Sequence, residues 1–284
     1  MTENTFYTDH WRQIDDERVG RYERMFVWRE GHAALLAPLE LRPGSRVLDY
    51  GCGPGFMTEG MARIVGPAGR AYGVDLNAGF VANASHRNSE SDNISFHLVD
   101  GDCIPLDDTT VDRLLCKNVL EYVPDVQTTL AEFRRVLEPG GRLLLIDSDW
   151  GFVAVEPWGM ERTKRFFDAA APAFKEPEIG RKLRSHLLDA GFDHVDVRVQ
   201  AGVDIEGGSL LVLRNMANRC PPPRSTRCLT KRQRPLTTTA ICSAYRNSWR
   251  RASGLRADVG DEPRPVYPRL RVPWQDRPRV IQSL

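Results

Sequence analysis

The sequence predicts an α/β fold, a doubly wound and mainly parallel sheet with helices on both faces. Two observations and one rule of chain handedness carry this expectation. Short apolar runs alternate with amphipathic stretches from residue 46 to residue 146, and strands joined through helices return to the same edge and lie parallel. A glycine turn within VLDYGCGPGFMTE, residues 47–59, joins an apolar run to a helical one. Right-handed crossovers then select the doubly wound layout.

The elements follow in order. Residues 1–45 read as helical, because Ile14, Val19, Tyr22, Met25 and Phe26, then Ala33, Leu36 and Leu39, recur close to helical spacing, and Pro43-Gly44 closes the segment. Residues 46–49 form the first strand and 56–65 the helix after it. Strands are expected at 71–76, 94–99 and 112–117, with a helix near 79–88 between the first two. The stretch 128–137 is a helix with Leu130, Phe133, Val136 and Leu137 on one face, stopped by Pro139-Gly140-Gly141 before a fifth strand at 142–146. Residues 151–180 break the rhythm as a helical insertion rich in aromatics, in which Trp158, Phe166 and Phe167 are expected to pack its helix. A helix at 179–190, capped by Gly191, and a strand at 194–199 follow, and 209–216 suits either state.

Composition bounds the rest. The 284 residues, 41% hydrophobic and 27% charged, suit one sizeable globular domain with an appendage. No apolar run approaches the roughly 18 residues of a membrane helix. The polar N-terminus is not a secretory signal. Six scattered cysteines without a C-x-x-C pair suggest neither a metal site nor a disulfide framework, so the expected location is the reducing cytoplasm. The net charge of +1 conceals an asymmetry: after Cys220 there are 13 Arg and one Lys against four acids, and nine prolines without a sustained period. The 220–284 tail therefore reads as disordered, or as an out-of-frame translation of a GC-rich gene, in keeping with 34 Arg to 5 Lys along the chain. Its basic charge is a weak pointer to nucleic acid, which is not an expected partner.

The glycine turn carries the chemistry. A strand that ends in an acid, then Gly51, Gly53 and Gly55, then a helix, is a nucleotide or nucleoside site in general terms. The dinucleotide pattern G-x-G-x-x-G fails at its third glycine, which is Phe56 or Thr58 depending on register, and no Gly-Lys-Ser/Thr follows for a P-loop. Asp49 beside the turn would repel a diphosphate. It suits a ligand that carries an ammonium group and a sulfonium.

With D-x-G-x-G-x-G at residues 49–55, the sequence resembles the class I S-adenosylmethionine (SAM)-dependent methyltransferases, in particular the small-molecule type related to quinone-biosynthesis enzymes. The resemblance covers about residues 30–200, and four more segments match in order: YGVDLN, VDGDCIPL, VDRLLCKNVLEYVPD and RRVLEPGGRLLLID. It implies a Rossmann-like methyltransferase fold and SAM as the cofactor. It also implies that Asp49, Gly51, Cys52, Gly53 and Gly55 form the cofactor loop. Asp75, followed by Leu76, would accept from the two ribose hydroxyls. Asp102 would meet the adenine amino group, Cys103 a ring nitrogen through its backbone, and Asn118 would lie under the methionine part.

No catalytic residue follows from spacing, because a sulfonium activates its own methyl group and the protein mainly aligns the acceptor. Glu121, Asp147 and Asp149 are the candidate bases, at the carboxyl edge of strands four and five. Tyr122 and Trp150 join them as candidate lining of an acceptor pocket, and Tyr7, His10, Trp11 and Tyr22 are expected in an N-terminal cover. The expected organisation is a helical cap at 1–45, a SAM-binding domain at 46–219 with the insertion at 151–180, and the tail. The expected function is methyl transfer to a small organic acceptor. Similar enzymes end in an antiparallel hairpin of strands six and seven, and no seventh strand is evident here after Met216. The alternative is therefore a SAM- or nucleoside-binding protein with little activity.

Overall fold

In a computed structural model, residues 5–29, 31–99, 103–156, 158–200 and 280–283 are described. Three helices, α1 (Phe6–Arg12), α2 (Asp16–Met25) and α3 (Gly31–Leu36), precede the first strand, β1 (Arg46–Tyr50). The alternation then runs α4 (Phe56–Val65), β2 (Arg70–Asp75), α5 (Ala78–Arg87), β3 (Ile94–Leu98), β4 (Val111–Lys117), α6 (Val126–Val136) and β5 (Leu137–Ile146). After it come α7 (Gly159–Ala170), α8 (Ile179–Asp189), β6 (Val195–Arg198) and β7 (Val280–Ser283). The strands form one sheet in the order β3-β2-β1-β4-β5-β7-β6, and every pair in it is parallel.

Strand alternation explains why both faces of the sheet are covered. Leu48, Leu114 and Leu145 point to one face, where Leu130 and Phe133 of α6 and Leu183 and Leu187 of α8 bury them. Val47, Leu115, Leu144 and Ile146 point to the other, against Leu36, Leu39 and Met61. Helix starts use side-chain caps: Asp15, Asn77 and Asp125 accept from the backbone N–H of Arg18, Phe80 and Thr128. Gly191, at φ 79°, lies just past the end of α8 as expected. The chain runs outward from β1 to β3 and returns to β4, so the order reverses between β1 and β4. Open α/β sheets bind ligands at the carboxyl ends of the strands at such a reversal.

Two expectations are corrected. The fifth strand begins at Leu137, because Val111 already pairs with it; the register then jumps to Arg113↔Arg142, and Glu138–Gly141 bulge out as the expected turn. The absent seventh strand is present: Val280–Ser283 lies between β5 and β6, parallel to both, so it makes no antiparallel hairpin with β6. It is four residues behind a long Arg- and Pro-rich stretch, too short to show a period. The rest of the 220–284 tail and the ambiguous 209–216 lie outside the described residues.

Residues 154–170 fall in a second compact unit. Within it Phe166 meets Trp158 at 5.4 Å and Phe167 edge-on at 5.2 Å between ring centroids, so these aromatics do pack along α7. No helix among the described residues is long and apolar enough to cross a membrane.

Phe133 is fully buried and meets Tyr50 edge-on at 4.9 Å. Phe133→Ala is expected to lower unfolding free energy by about 3–5 kcal/mol in urea titration, the cost of a large core cavity. A loss below about 1 kcal/mol would contradict this account of the core.

Candidate functional site

The glycine turn between β1 and α4 is held by its backbone. The N–H groups of Gly51 and Cys52 both donate to the Val74 carbonyl of β2, at 2.8 and 3.0 Å. Gly51 and Gly55 are required by close approach: a Cβ on Gly51 would lie 2.2 Å from Val119, and one on Gly55 2.7 Å from Phe96, both at positive φ. Gly53 differs. Its φ is 52°, and a Cβ there would meet nothing within 4 Å, so there is open space beside the turn at this residue.

Three carboxylates at strand ends tie the loops together. Asp75, at the end of β2, accepts the Gly53 N–H at 2.7 Å on Oδ2 and the Asn77 N–H at 2.8 Å on Oδ1, and it remains partly exposed. Burial raises its pKa, against the pull of those backbone donors. Asp49, 3% exposed, accepts the Thr58 hydroxyl at 2.6 Å. Burial pushes its carboxyl up to about 6; the Thr58 bond opposes this, and the Asp75 charge adds to it. Thr58, read from sequence only as a missing glycine, is the fully buried donor that sets Asp49.

Asp147, directly after β5, accepts the N–H groups of Leu120 at 2.9 Å, Val119 at 3.3 Å and Ser148 at 2.9 Å. Burial pushes its carboxyl up to about 7. It thus fixes the loop after β4, where Asn118 is exposed with φ 55° and donates its N–H to the Ile146 carbonyl at 2.7 Å.

The other two candidate bases are also engaged. Glu121 is 1% exposed and accepts the Trp150 indole N–H at 2.5 Å. Burial, then the Asp147 charge, raise its pKa well above the usual carboxylate range. Asp149 accepts two bonds from the Arg181 guanidinium of α8, at 2.6 and 2.7 Å, and one from Gly151 N–H at 3.0 Å. Asp147 and Asp149 thus brace loops, and Glu121 holds the Trp150 indole. Leu76 is partly buried beside Asp75, Cys52 is buried in the turn, and Cys103 is exposed after β3. Asp102 lies outside the described residues.

The N-terminal helices reach this edge. Thr8 of α1 donates to the Tyr122 carbonyl at 2.8 Å, and Asn77 donates its side-chain N–H to the Trp11 carbonyl at 2.8 Å. His10 and Trp11 meet the Tyr122 ring at 5.8 and 5.2 Å, Tyr22 packs on Trp11, and the Tyr7 ring lies under Lys175. Phe174 stacks on Tyr122 at 5.4 Å and contacts Trp150 at 5.7 Å. An aromatic wall therefore runs from α1 to the loop after β5. Sequence reading singled out most of it, but not Phe174 or Asn77. It also passed over Lys117, a partly exposed cation that ends β4 among these acids. The available signal was a charge closing the otherwise apolar run LLC.

Among the described residues no three His, Cys, Asp or Glu group to hold a metal ion. A surface hollow lined by Glu59, Arg63, Asn88 and Asp92 lies toward the amino edge of the sheet and takes no part in this arrangement.

The family model described as "Methyltransferase domain" matches residues 48–145. A relative named "Uncharacterized 37.1 kDa protein in transposon TN4556" of Streptomyces fradiae is 34% identical over 165 residues, covering 58% of this chain and 48% of its own. The demethylmenaquinone methyltransferase of Symbiobacterium thermophilum is 32% identical over 150 residues, covering 50% of this chain and 60% of its own. The chain thus spans about half the length of the curated relatives it matches. In fold it resembles Haemonchus contortus phosphoethanolamine N-methyltransferase 2, solved in complex with S-adenosyl-L-methionine, with a TM-score of 0.58 and 17% identity over 87% of this chain and 56% of that one. Residues 48–145 thus match a methyltransferase domain, and the doubly wound sheet around them is similar in fold to a SAM-bound methyltransferase.

Proposed function

We propose that the chain transfers a methyl group from SAM to a small organic acceptor by in-line displacement. One observation carries the reading: the turn has open space beside it at Gly53, between Asp75 on one side and the buried Asp49 on the other. This donor set fits SAM and opposes a diphosphate. Asp75 keeps lone pairs for a ribose diol beyond the two backbone bonds it accepts, and Asp49 offers negative charge to an ammonium.

When bound, SAM supplies a methyl group already activated by its sulfonium. The residues assigned to hold it are Asp49, Gly51, Cys52, Gly53, Gly55, Asp75, Leu76, Asp102, Cys103 and Asn118. The chain's own part is alignment and exclusion of water. Positioning of this kind can supply ~7–11 kcal/mol. Tyr122, Trp150 and Phe174 give the acceptor an apolar wall, covered by α1, and the curated relatives' names make an aromatic ring a reasonable first acceptor to try. The reading divides the chain into a cap at 1–45, a SAM-binding domain at 46–219 and a tail, working in the reducing cytoplasm, where Cys52, Cys103 and Cys116 stay free. The alternative, a binder with little activity, rested on a missing seventh strand; Val280–Ser283 adds a strand between β5 and β6 but parallel to both, and turnover against a panel of acceptors separates the two readings.

Calorimetric titration with S-adenosylhomocysteine (SAH), the demethylated product, tests the reading, and absence of binding would remove it. Asp75→Ala is expected to weaken SAH by about 1–3 kcal/mol, and an unchanged affinity would remove the ribose contact. A pH series tests Asp49. Its carboxyl in the free protein titrates at about 6, and a facing ammonium favours the charged form. Affinity is therefore expected to be full above about pH 6 and to fall below it, at most tenfold per pH unit. Asp49→Asn should bind more weakly at neutral pH and lack this step, whereas a flat wild-type profile would take the ammonium away from Asp49.

A further inference from the structure

We propose that Lys117 receives the carboxylate of the cofactor's amino-acid end, so that Asp49 and Lys117 together clamp an α-amino acid by its two charges. This rests on the reading that the glycine turn holds SAM.

The placement follows from strand geometry. Asp49 pairs with Leu115 across β1 and β4, so Lys117, two residues on, lies on the same face of the sheet, one step nearer the carboxyl edge. Adjacent strands are about 4.8 Å apart and two residues rise about 6.6 Å, so the two Cα atoms lie on a diagonal of roughly 8 Å, which the two side chains can close around one amino acid. Asn118, next in the chain, is exposed in the left-handed region and turns the backbone there. Lys117 is partly exposed where β4 ends.

Its charge has attraction but no bonded partner. Burial disfavours the ammonium and lowers its pKa, against the pull of Asp147, then Asp49 and Glu121. Yet among the described residues Lys117 has no ion pair within 4.0 Å and no hydrogen bond. Asp147 accepts three backbone N–H groups and Glu121 the Trp150 indole N–H, while Asp49 accepts the Thr58 hydroxyl and keeps further lone pairs for a ligand's ammonium. His32 of α3 lies near enough to feel Lys117, which helps hold its pKa down after burial, so it offers no anion. Among the described residues its ammonium is not one of the buried polar atoms left without a partner, so it reaches solvent and can meet an incoming anion with three donors. The remaining acceptor of suitable charge is one that arrives with a ligand, and an α-amino acid brings a carboxylate beside the ammonium that Asp49 attracts.

The test compares two ligands that share the nucleoside and sulfur. SAH carries the amino-acid end, and 5′-methylthioadenosine lacks it. Wild type, Lys117→Met and Lys117→Arg are titrated with both by calorimetry. Lys117→Met is expected to lose tenfold or more in SAH affinity while binding methylthioadenosine within twofold of wild type, and Lys117→Arg to keep most of the SAH affinity. Retained methylthioadenosine binding also reports that the variant is folded. Unchanged SAH affinity in Lys117→Met would overturn the assignment, and so would an equal loss toward both ligands, which marks a structural role. Failure of wild type itself to bind SAH would instead remove the underlying SAM reading, and this assignment with it.

Discussion

The arrangement depends on carboxylates placed where parallel strands end. A parallel sheet buried on both faces leaves its loop backbone donors at the carboxyl edge without ladder partners. Here side chains supply the acceptors. Asp75 of β2 holds the Gly53 and Asn77 N–H groups and so sets the turn after the neighbouring strand. Asp147, after β5, holds the N–H groups of Val119 and Leu120 in the loop after β4. Each loop is thus fixed by the end of the next strand in the sheet.

Burial of these carboxylates sets the electrostatics of the edge, and the bonds they accept oppose it. Carboxylates that accept backbone donors sit in low dielectric, and burial lifts Asp49 to about 6 and Asp147 to about 7. A cationic ligand relieves part of that cost, and an anionic one adds to it. This is why the same glycine pattern that could cradle phosphate in other surroundings suits a sulfonium here. The N-terminal helices close the edge through Thr8, Asn77 and the ring contacts of Trp11 and Tyr122, which couples the cover to the loops it protects.

Local pattern made the central sheet legible. The strands carry continuous apolar runs, and α4 starts and ends where its glycines and periodicity place it. Long-range pairing was not legible. The four residues of β7 show no period, and only their fit between β5 and β6 makes them a strand. The site divides in the same way. The turn was read from its glycines, and the expected roles of Asp75 and Asn118 came from the family resemblance. Thr58 was not legible, because its role depends on Asp49 nine residues earlier and one element away. The Asp149–Arg181 pair joins residues 32 apart, and no local signal separates such a brace from a candidate base. Lys117 stood out least, since a charge at a strand end is ordinarily solvated, and its surroundings come from β1 and the loops after β4 and β5.

The most direct measurement is a crystal structure of the chain with S-adenosylhomocysteine. Density for the ribose hydroxyls on Asp75, with the amino-acid end running from Asp49 toward Asn118, is the expected result. Density for the ligand away from the glycine turn, with Gly53 and Asp75 untouched, would contradict the placement of the cofactor at this edge.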